Sequence, residues 1–165
     1  MTNAHERSLS ADVETVWTLV TSLSADDDEL WPRGRWPRMR LDRPLEVGAR
    51  GGHGPVRYQV AEIRPKQTVA FRFTPDFGLV GTHRFEIVEQ GRRTVLRHVI
   101  EGRPRRFMHL VWPLALRPLH DALVEDGLDR AEAAVTGQPW RPRPLSFRVQ
   151  LLRRLVRPRR GRATT

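Results

Sequence analysis

The sequence contains no cysteine among its 165 residues. That absence excludes disulfides, thiolate nucleophiles and cysteine-ligated metal sites, and it fits a reducing compartment. Long apolar runs are missing too. The longest, residues 110–116, has seven residues and contains a proline, so it is far too short to span a bilayer. The first seven residues have no apolar core, so we expect no signal peptide and a cytoplasmic location.

Acidic residues are missing from the last part of the chain. Residues 137–165 hold nine arginines and no Asp or Glu, although the whole chain has 29 basic and 19 acidic residues. Residues 1–136 therefore carry a net charge of only +1, against +10 for the whole chain. Because the basic excess belongs to the tail, we expect no specific nucleic-acid partner.

These composition shifts predict two regions, a ligand-binding domain over residues 1–136 and a Pro/Arg-rich tail over residues 137–165. Within the tail, residues 145–157 have apolar side chains on one side and arginines on the other. Such a segment suits weak peripheral contact with an anionic membrane, here the inner face of the cell membrane. Docking on a partner, nonspecific contact with nucleic acid, and a disordered solubilising extension are the alternatives.

Apolar periodicity predicts an α+β fold. Ser10 is expected to cap a helix over residues 13–20, and a second short helix is expected from Ser24 to Trp31. Residues 39–102 alternate apolar and polar side chains between short turns, which is typical of an antiparallel meander. After Pro104 the period becomes helical. The sequence thus predicts a curved sheet wrapped around one long C-terminal helix, with a hollow between them.

Three histidines are expected to face that hollow. If the hairpin turns at residues 90–91, His83 lies opposite His98, and a longer loop would shift the pairing by two residues without changing the face. That face also carries Phe85 and Leu96, so it should point inward. His120 lies on the apolar side of the long helix.

Such histidines have several roles in proteins. They are satisfied core residues, polar walls of a ligand cavity, acid–base catalysts or metal ligands. His83, His98 and His120 are the catalytic candidates, with Tyr58 as a hydrogen-bond donor. We expect no metal, because no carboxylate is evidently placed to orient these histidines, and no other cofactor. The predicted ligand-binding residues are His53, Tyr58, Phe71, Phe73, His83, Phe85, Leu96, His98, Trp112, Leu116 and His120.

Several segments resemble the SRPBCC superfamily, the START-like and pollen-allergen-like helix-grip fold that includes polyketide cyclases. The resemblance covers residues 4–136 and is carried by residues 8–17, 56–60, 81–87 and 128–131. The motifs GGHGP, GTHRF and WPLALRPLHD are similar to those of a bacterial subgroup without assigned catalytic residues, so none is transferred. The resemblance implies an internal hydrophobic cavity but no single chemistry.

Two functions follow as hypotheses. The first is binding of a small hydrophobic or aromatic ligand, lipid or polyketide-like, in an internal cavity lined by apolar walls and a few polar groups. The alternative is a cyclase or dehydratase that acts on such a ligand with histidine acid–base catalysis. Whether the protein is an enzyme stays open at this point.

Overall fold

The computed structural model describes residues 1–156 and shows an α+β fold in which one antiparallel sheet wraps around a long helix. The strands are β1 (Thr2–Leu9), β2 (Arg40–Leu41), β3 (Arg50–His53), β4 (Val56–Arg64), β5 (Thr68–Phe73), β6 (Leu79–Gln90) and β7 (Arg93–Pro104). The helices are α1 (Val13–Thr21), α2 (Met108–Val111), α3 (Arg117–Thr136) and α4 (Phe147–Val156). The predicted fold class and the grip of sheet around helix are confirmed.

The sheet has the strand order β1-β7-β6-β5-β4-β3-β2, with every neighbouring pair antiparallel. Strands β2 to β7 follow each other as a meander. Strand β1 forms the other edge of the sheet, where it pairs with β7. The inner face is apolar because alternate side chains of each strand point to it, among them Val60, Phe71 and Leu96.

The long helix is continuous, although it contains two prolines. A π-helical turn over Trp112–Leu116 joins α2 to α3, and it includes Pro113, whose missing N–H cannot donate to the preceding turn. Pro118 also lacks an N–H, and the Leu114 carbonyl, four residues before it, accepts from the Arg148 guanidinium at 2.9 Å instead. No helix within residues 1–156 is long and apolar enough to cross a membrane.

Two predictions for the segment after β1 were wrong. The cap of α1 is Asp12, whose carboxylate accepts from the Thr15 N–H at 2.8 Å, and not Ser10. The second short helix does not form, because the buried Asp28 carboxylate accepts the backbone N–H groups of Ser24, Leu30 and Trp31. Those bonds fix a compact loop in place of a helical turn.

The hairpin between β6 and β7 turns one residue later than the 90–91 turn predicts. Gln90 pairs with Arg93, so the two turn residues are Gly91 and Arg92, and Gly91 supplies the positive φ of +63° that the first turn position requires. His83 is therefore opposite Ile100, and the His83–His98 pairing is wrong by two residues. Both histidines stay on the inner face.

The amphipathic segment of the tail forms α4, and the predicted end of this segment, Arg157, lies outside the described residues. The Val149 side chain is buried in the same apolar core as α3 and the sheet. The Arg148 guanidinium donates to the carbonyls of Pro113 and Leu114, at 3.2 and 2.9 Å. The α4 helix is thus packed on the body.

Candidate functional site

A cavity of about 650 Å³ lies between the inner face of the sheet and the long helix. Nine of the eleven predicted binding residues line it: His53, Phe71, Phe73, His83, Phe85, His98, Trp112, Leu116 and His120. Tyr58 and Leu96 do not line it, because Leu96 is fully covered by the core and the Tyr58 ring lies behind His53 and His83. The volume and the mostly apolar wall are those of a small-molecule site.

Three imidazole rings form a row along one wall. His83 on β6 and His98 on β7 are joined by an Nδ1–Nε2 contact of 3.3 Å. The centroid of the His120 ring, on α3, is 5.0 Å from that of His98. The three catalytic candidates therefore lie together. Two of them are on the inner face of the sheet, and the third is on the apolar face of the helix.

Aromatic rings hold the first histidine of the row in place. The His83 ring stacks on Phe71 at 4.8 Å and 13° and on Phe73 at 5.0 Å and 29°. The Tyr58 ring meets it edge-on at 4.7 Å. Phe85 contacts His98 in the same edge-on way. Such packing fixes the rings in one orientation and leaves polar nitrogens set in an apolar wall.

Several of these nitrogens have no partner. His83 Nε2, His98 Nδ1 and both nitrogens of His120 have no hydrogen bond among residues 1–156. Burial lowers the pKa of His83 and His98 well below the usual 6.5, and neighbouring imidazoles lower both pKa values further. Burial also lowers the pKa of His120, although Asp121 opposes it. At neutral pH the rings are uncharged, and they can donate to or accept from a guest molecule.

His53 lines the cavity next to these rings. Its Nδ1 is 3.1 Å from the Tyr58 hydroxyl, and burial lowers its pKa to about 3. The glycines before it allow a close approach of strands: a Cβ on Gly51 would lie 1.9 Å from the Arg40 carbonyl oxygen.

The loop that contains Trp31-Pro32 and Trp36-Pro37 lines the cavity and is held in place by hydrogen bonds. Trp31 and Trp36 line it, and their indole N–H groups donate to the Pro37 carbonyl at 3.0 Å and to Asp126 at 2.6 Å. From α4, the Arg153 guanidinium lies 4.6 Å from the centroid of the Trp36 ring and also lines the cavity. The tail therefore contributes Arg153 to the cavity wall.

Sequence reasoning missed the polar cluster at the outer end of the row. His5 on β1 places Nδ1 2.7 Å from Glu125 and Nε2 3.0 Å from Asp121, next to His120. Asn3, His5 and Arg7 alternate along β1 and face the acids of α3. The sequence did contain a signal for this cluster. Polar residues alternate along β1, and acidic residues recur every four positions on one face of α3.

The electrostatics of this cluster favour a charged Asp121. Burial alone would raise the pKa of the carboxyl group, but the nearby His120 imidazole and the hydrogen bonds from His5 and Asn3 outweigh it and lower the pKa to about 2. Asp126, which is buried and lies later in α3, behaves in the opposite way. Burial raises its pKa, and the hydrogen bond from Trp36 does not outweigh that effect.

Comparison with solved structures places this architecture among known proteins. CalU16 from Micromonospora echinospora matches at 15% identity, over 94% of this chain and 83% of that chain, with a TM-score of 0.58. Truncated norcoclaurine synthase from Thalictrum flavum matches at 16% identity, over 84% and 95%, with a TM-score of 0.63. The same synthase in complex with dopamine and hydroxybenzaldehyde matches at 16%, over 84% and 88%, with a TM-score of 0.62.

The chain has the helix-grip fold of the SRPBCC superfamily. The likeness lies in the fold alone at these identities, and no family model or curated protein sequence matches the chain. Helix-grip proteins with different functions share the frame of sheet and long helix. The function must therefore be argued from the cavity.

Proposed function

We propose that this helix-grip protein binds a small, largely apolar or aromatic molecule in its 650 Å³ cavity. The observation that carries the proposal is the row of uncharged imidazoles with unpartnered nitrogens in an otherwise apolar wall. Buried polar atoms without partners are rare in native proteins, and a bound guest with one or two polar atoms supplies the missing hydrogen bonds. Hydroxybenzaldehyde, which has two oxygens and is bound together with dopamine by the synthase of the same fold, is of that kind.

Filling the cavity tests this proposal. Leu119→Trp adds an indole to the cavity wall, and we expect the affinity for 1-naphthol, measured by titration calorimetry, to fall at least about ten-fold. Leu114→Trp, the same change at an exposed position of the same long helix, is the control and should leave the affinity unchanged. Equal affinities in the two variants, or no saturable binding to the wild type, would count against a ligand cavity.

A cyclase or dehydratase is the second candidate, because His83, His98 and His120 are neutral bases beside an enclosed space. An imidazole would take a proton from a bound chain while the apolar walls hold that chain in a reactive shape. Tyr58 does not line the cavity, so it would not touch the substrate. It would act only through its hydrogen bond with His53. Turnover of a polyketide-like substrate that survives replacement of all three histidines by phenylalanine would reject this assignment.

We also propose that the protein touches the inner face of the cytoplasmic membrane through an apolar patch. The patch comprises exposed side chains of the adjacent long helix and α4: Phe107, Leu110, Leu114, Phe147, Leu151 and Leu155. Exposed arginines neighbour these residues in the chain, including Arg106, Arg148 and Arg154. Apolar side chains within a basic rim suit an anionic lipid surface.

Liposome flotation tests the patch. Phe147→Ser with Leu151→Ser should abolish most of the flotation with anionic vesicles, because insertion of the two side chains is lost while the arginines stay. The control, Val47→Ser with Val88→Ser, changes two exposed apolar residues elsewhere and should float like the wild type. Truncation after Gly137 is a poorer test, because it also removes Val149 from the core. Equal flotation of both double variants would exclude the patch.

A further inference from the structure

We propose that His5, His120 and Asp121 form a binding site for one divalent transition-metal ion, with Glu125 as the residue that orients His5. The three side chains come from β1 and α3, at the outer end of the imidazole row. Their donor atoms all lie within 4.8 Å of one another. This site goes beyond the proposed ligand cavity, which shares only His120 with it.

Two of the three distances between the donor atoms are close to those between ligands of one ion. Asp121 Oδ1 is 3.0 Å from His5 Nε2 and 3.6 Å from His120 Nδ1. Zinc bonds of about 2.0–2.2 Å at tetrahedral angles place two donor atoms roughly 3.3–3.5 Å apart. The two distances bracket that value. The 3.6 Å contact is also too long for a good hydrogen bond, so it does not satisfy His120 Nδ1.

Hydrogen bonding at His5 points to a cation on its other nitrogen. Nδ1 is 2.7 Å from Glu125 Oε1, so this nitrogen carries a proton and donates it. In the neutral ring, Nε2 then presents a lone pair to the Asp121 carboxylate 3.0 Å away. Two lone pairs face each other unless a positive charge, from a second proton or a metal ion, lies between them.

The Glu125–His5 pair also supplies the outer partner that metal-bound histidines use. A carboxylate that accepts from the far nitrogen fixes the tautomer and raises the basicity of the ligating nitrogen. The sequence did not reveal such a carboxylate, which is why it predicted no metal. Glu125 lies one turn after Asp121, so a single stretch of α3 offers both the ligand and the orienting group.

His120 provides the second, independent observation. Only 14% of its side chain is exposed, and neither ring nitrogen has a hydrogen-bond partner among residues 1–156. A metal ion bound at Nδ1 satisfies one of these nitrogens. Two histidines and one carboxylate form a set of borderline ligands suited to Zn²⁺ or Co²⁺, and they leave positions for water.

The surrounding charges allow a cation. Asp121 and Glu125 are acidic, and Asn3 donates to Asp121 Oδ1 at 3.0 Å, a contact that holds the carboxylate in place. The nearby cations are already paired. Arg7 contacts Glu125 at 3.1 Å and Asp129 at 2.6 Å, and Arg117 lies 3.7 Å from the other oxygen of Asp121.

Zinc and cobalt titrations of the untagged, chelator-treated full chain test the site. We expect one Zn²⁺ per chain by calorimetry, and affinities at least about ten-fold weaker in His5→Gln and Asp121→Asn. Glu125→Gln, which keeps all three ligands, should weaken binding by about ten-fold. His109→Gln changes an exposed histidine on α2 and should bind like the wild type.

Cobalt distinguishes the ion from a protonated His5. Co²⁺ should shift or broaden the imidazole NMR signals of His5 and His120 and leave those of His109 unchanged. Absence of saturable binding, or equal affinities in His5→Gln, Asp121→Asn and His109→Gln, would overturn the site. Measuring 1-naphthol binding on the same metal-free samples separates the two proposals, because the cavity needs no ion.

Discussion

Lowering the pH from 7 to 5 is expected to reduce the free energy of unfolding by about 4 kcal/mol through His83 and His98 alone. Burial lowers the pKa of both rings well below 6.5, so they stay neutral in the folded protein. In the unfolded chain both take up protons as the pH falls below about 6.5. Stability is therefore complete above pH 7 and is lost towards pH 5, at about 2 kcal/mol per histidine.

Urea unfolding at pH 7 and pH 5 measures this loss. His83→Phe with His98→Phe keeps aromatic rings in the row but removes the titrating groups, so its stability should fall by about 4 kcal/mol less than that of the wild type. The exposed His109→Gln should behave like the wild type. Carboxylates such as Asp121, with a pKa of about 2, contribute mainly at lower pH. Parallel losses in wild type and double variant would contradict the buried, neutral row.

Gly81→Ala is expected to lower the free energy of unfolding by about 4 kcal/mol or more. A Cβ at this position would lie 2.1 Å from the Glu101 carbonyl oxygen and 2.5 Å from Gly102 Cα. Both contacts involve backbone atoms of the paired strand, so no side-chain rotation relieves them. Strands β6 and β7 would have to separate two residues before His83, which lies in the cavity wall.

Gly91→Ala is the matched control in the same hairpin. Gly91 has a φ of +63°, but a methyl group added there would meet no atom within 4 Å, so only the cost of a left-handed alanine, about 1 kcal/mol, applies. Urea unfolding of the two variants compares the effects. If Gly81→Ala costs no more than Gly91→Ala, the close approach of β6 and β7 is not the reason for glycine at position 81.

The inward direction of the histidines could be predicted, whereas their exact partners could not. Side chains point alternately to the two faces of a sheet, so a register shift of two residues leaves His83 and His98 on the same face. The register itself depends on which residue begins the turn. The positive φ of Gly91 decides that point, and the sequence allowed two placements of the turn.

Long-range contacts explain what sequence reasoning missed. The cluster of His5, Asp121 and Glu125 needs β1 to lie along α3 across more than 100 residues, which no local pattern specifies. The absent second helix has a different cause. Asp28 accepts hydrogen bonds from three backbone N–H groups of its own loop, so local side-chain bonding replaces the helix predicted from Ser24 to Trp31.

The cavity, the imidazole row and the tail form one functional unit in this account. The sheet and the long helix enclose the space, and the neutral histidines supply its few polar contacts. The α4 helix contributes Arg153 to the wall, where it lies against the Trp36 ring. The proposed membrane patch combines exposed apolar residues of α4 with others at the start of the long helix.

The most direct test of the central claim is to locate a bound aromatic molecule by NMR. In a complex with 1-naphthol, we expect intermolecular Overhauser contacts from the ligand to the ring protons of Phe73, Phe85 and His98 in the cavity wall. Contacts confined to Phe107 and Phe147 of the exposed patch, with none to the cavity residues, would contradict the account.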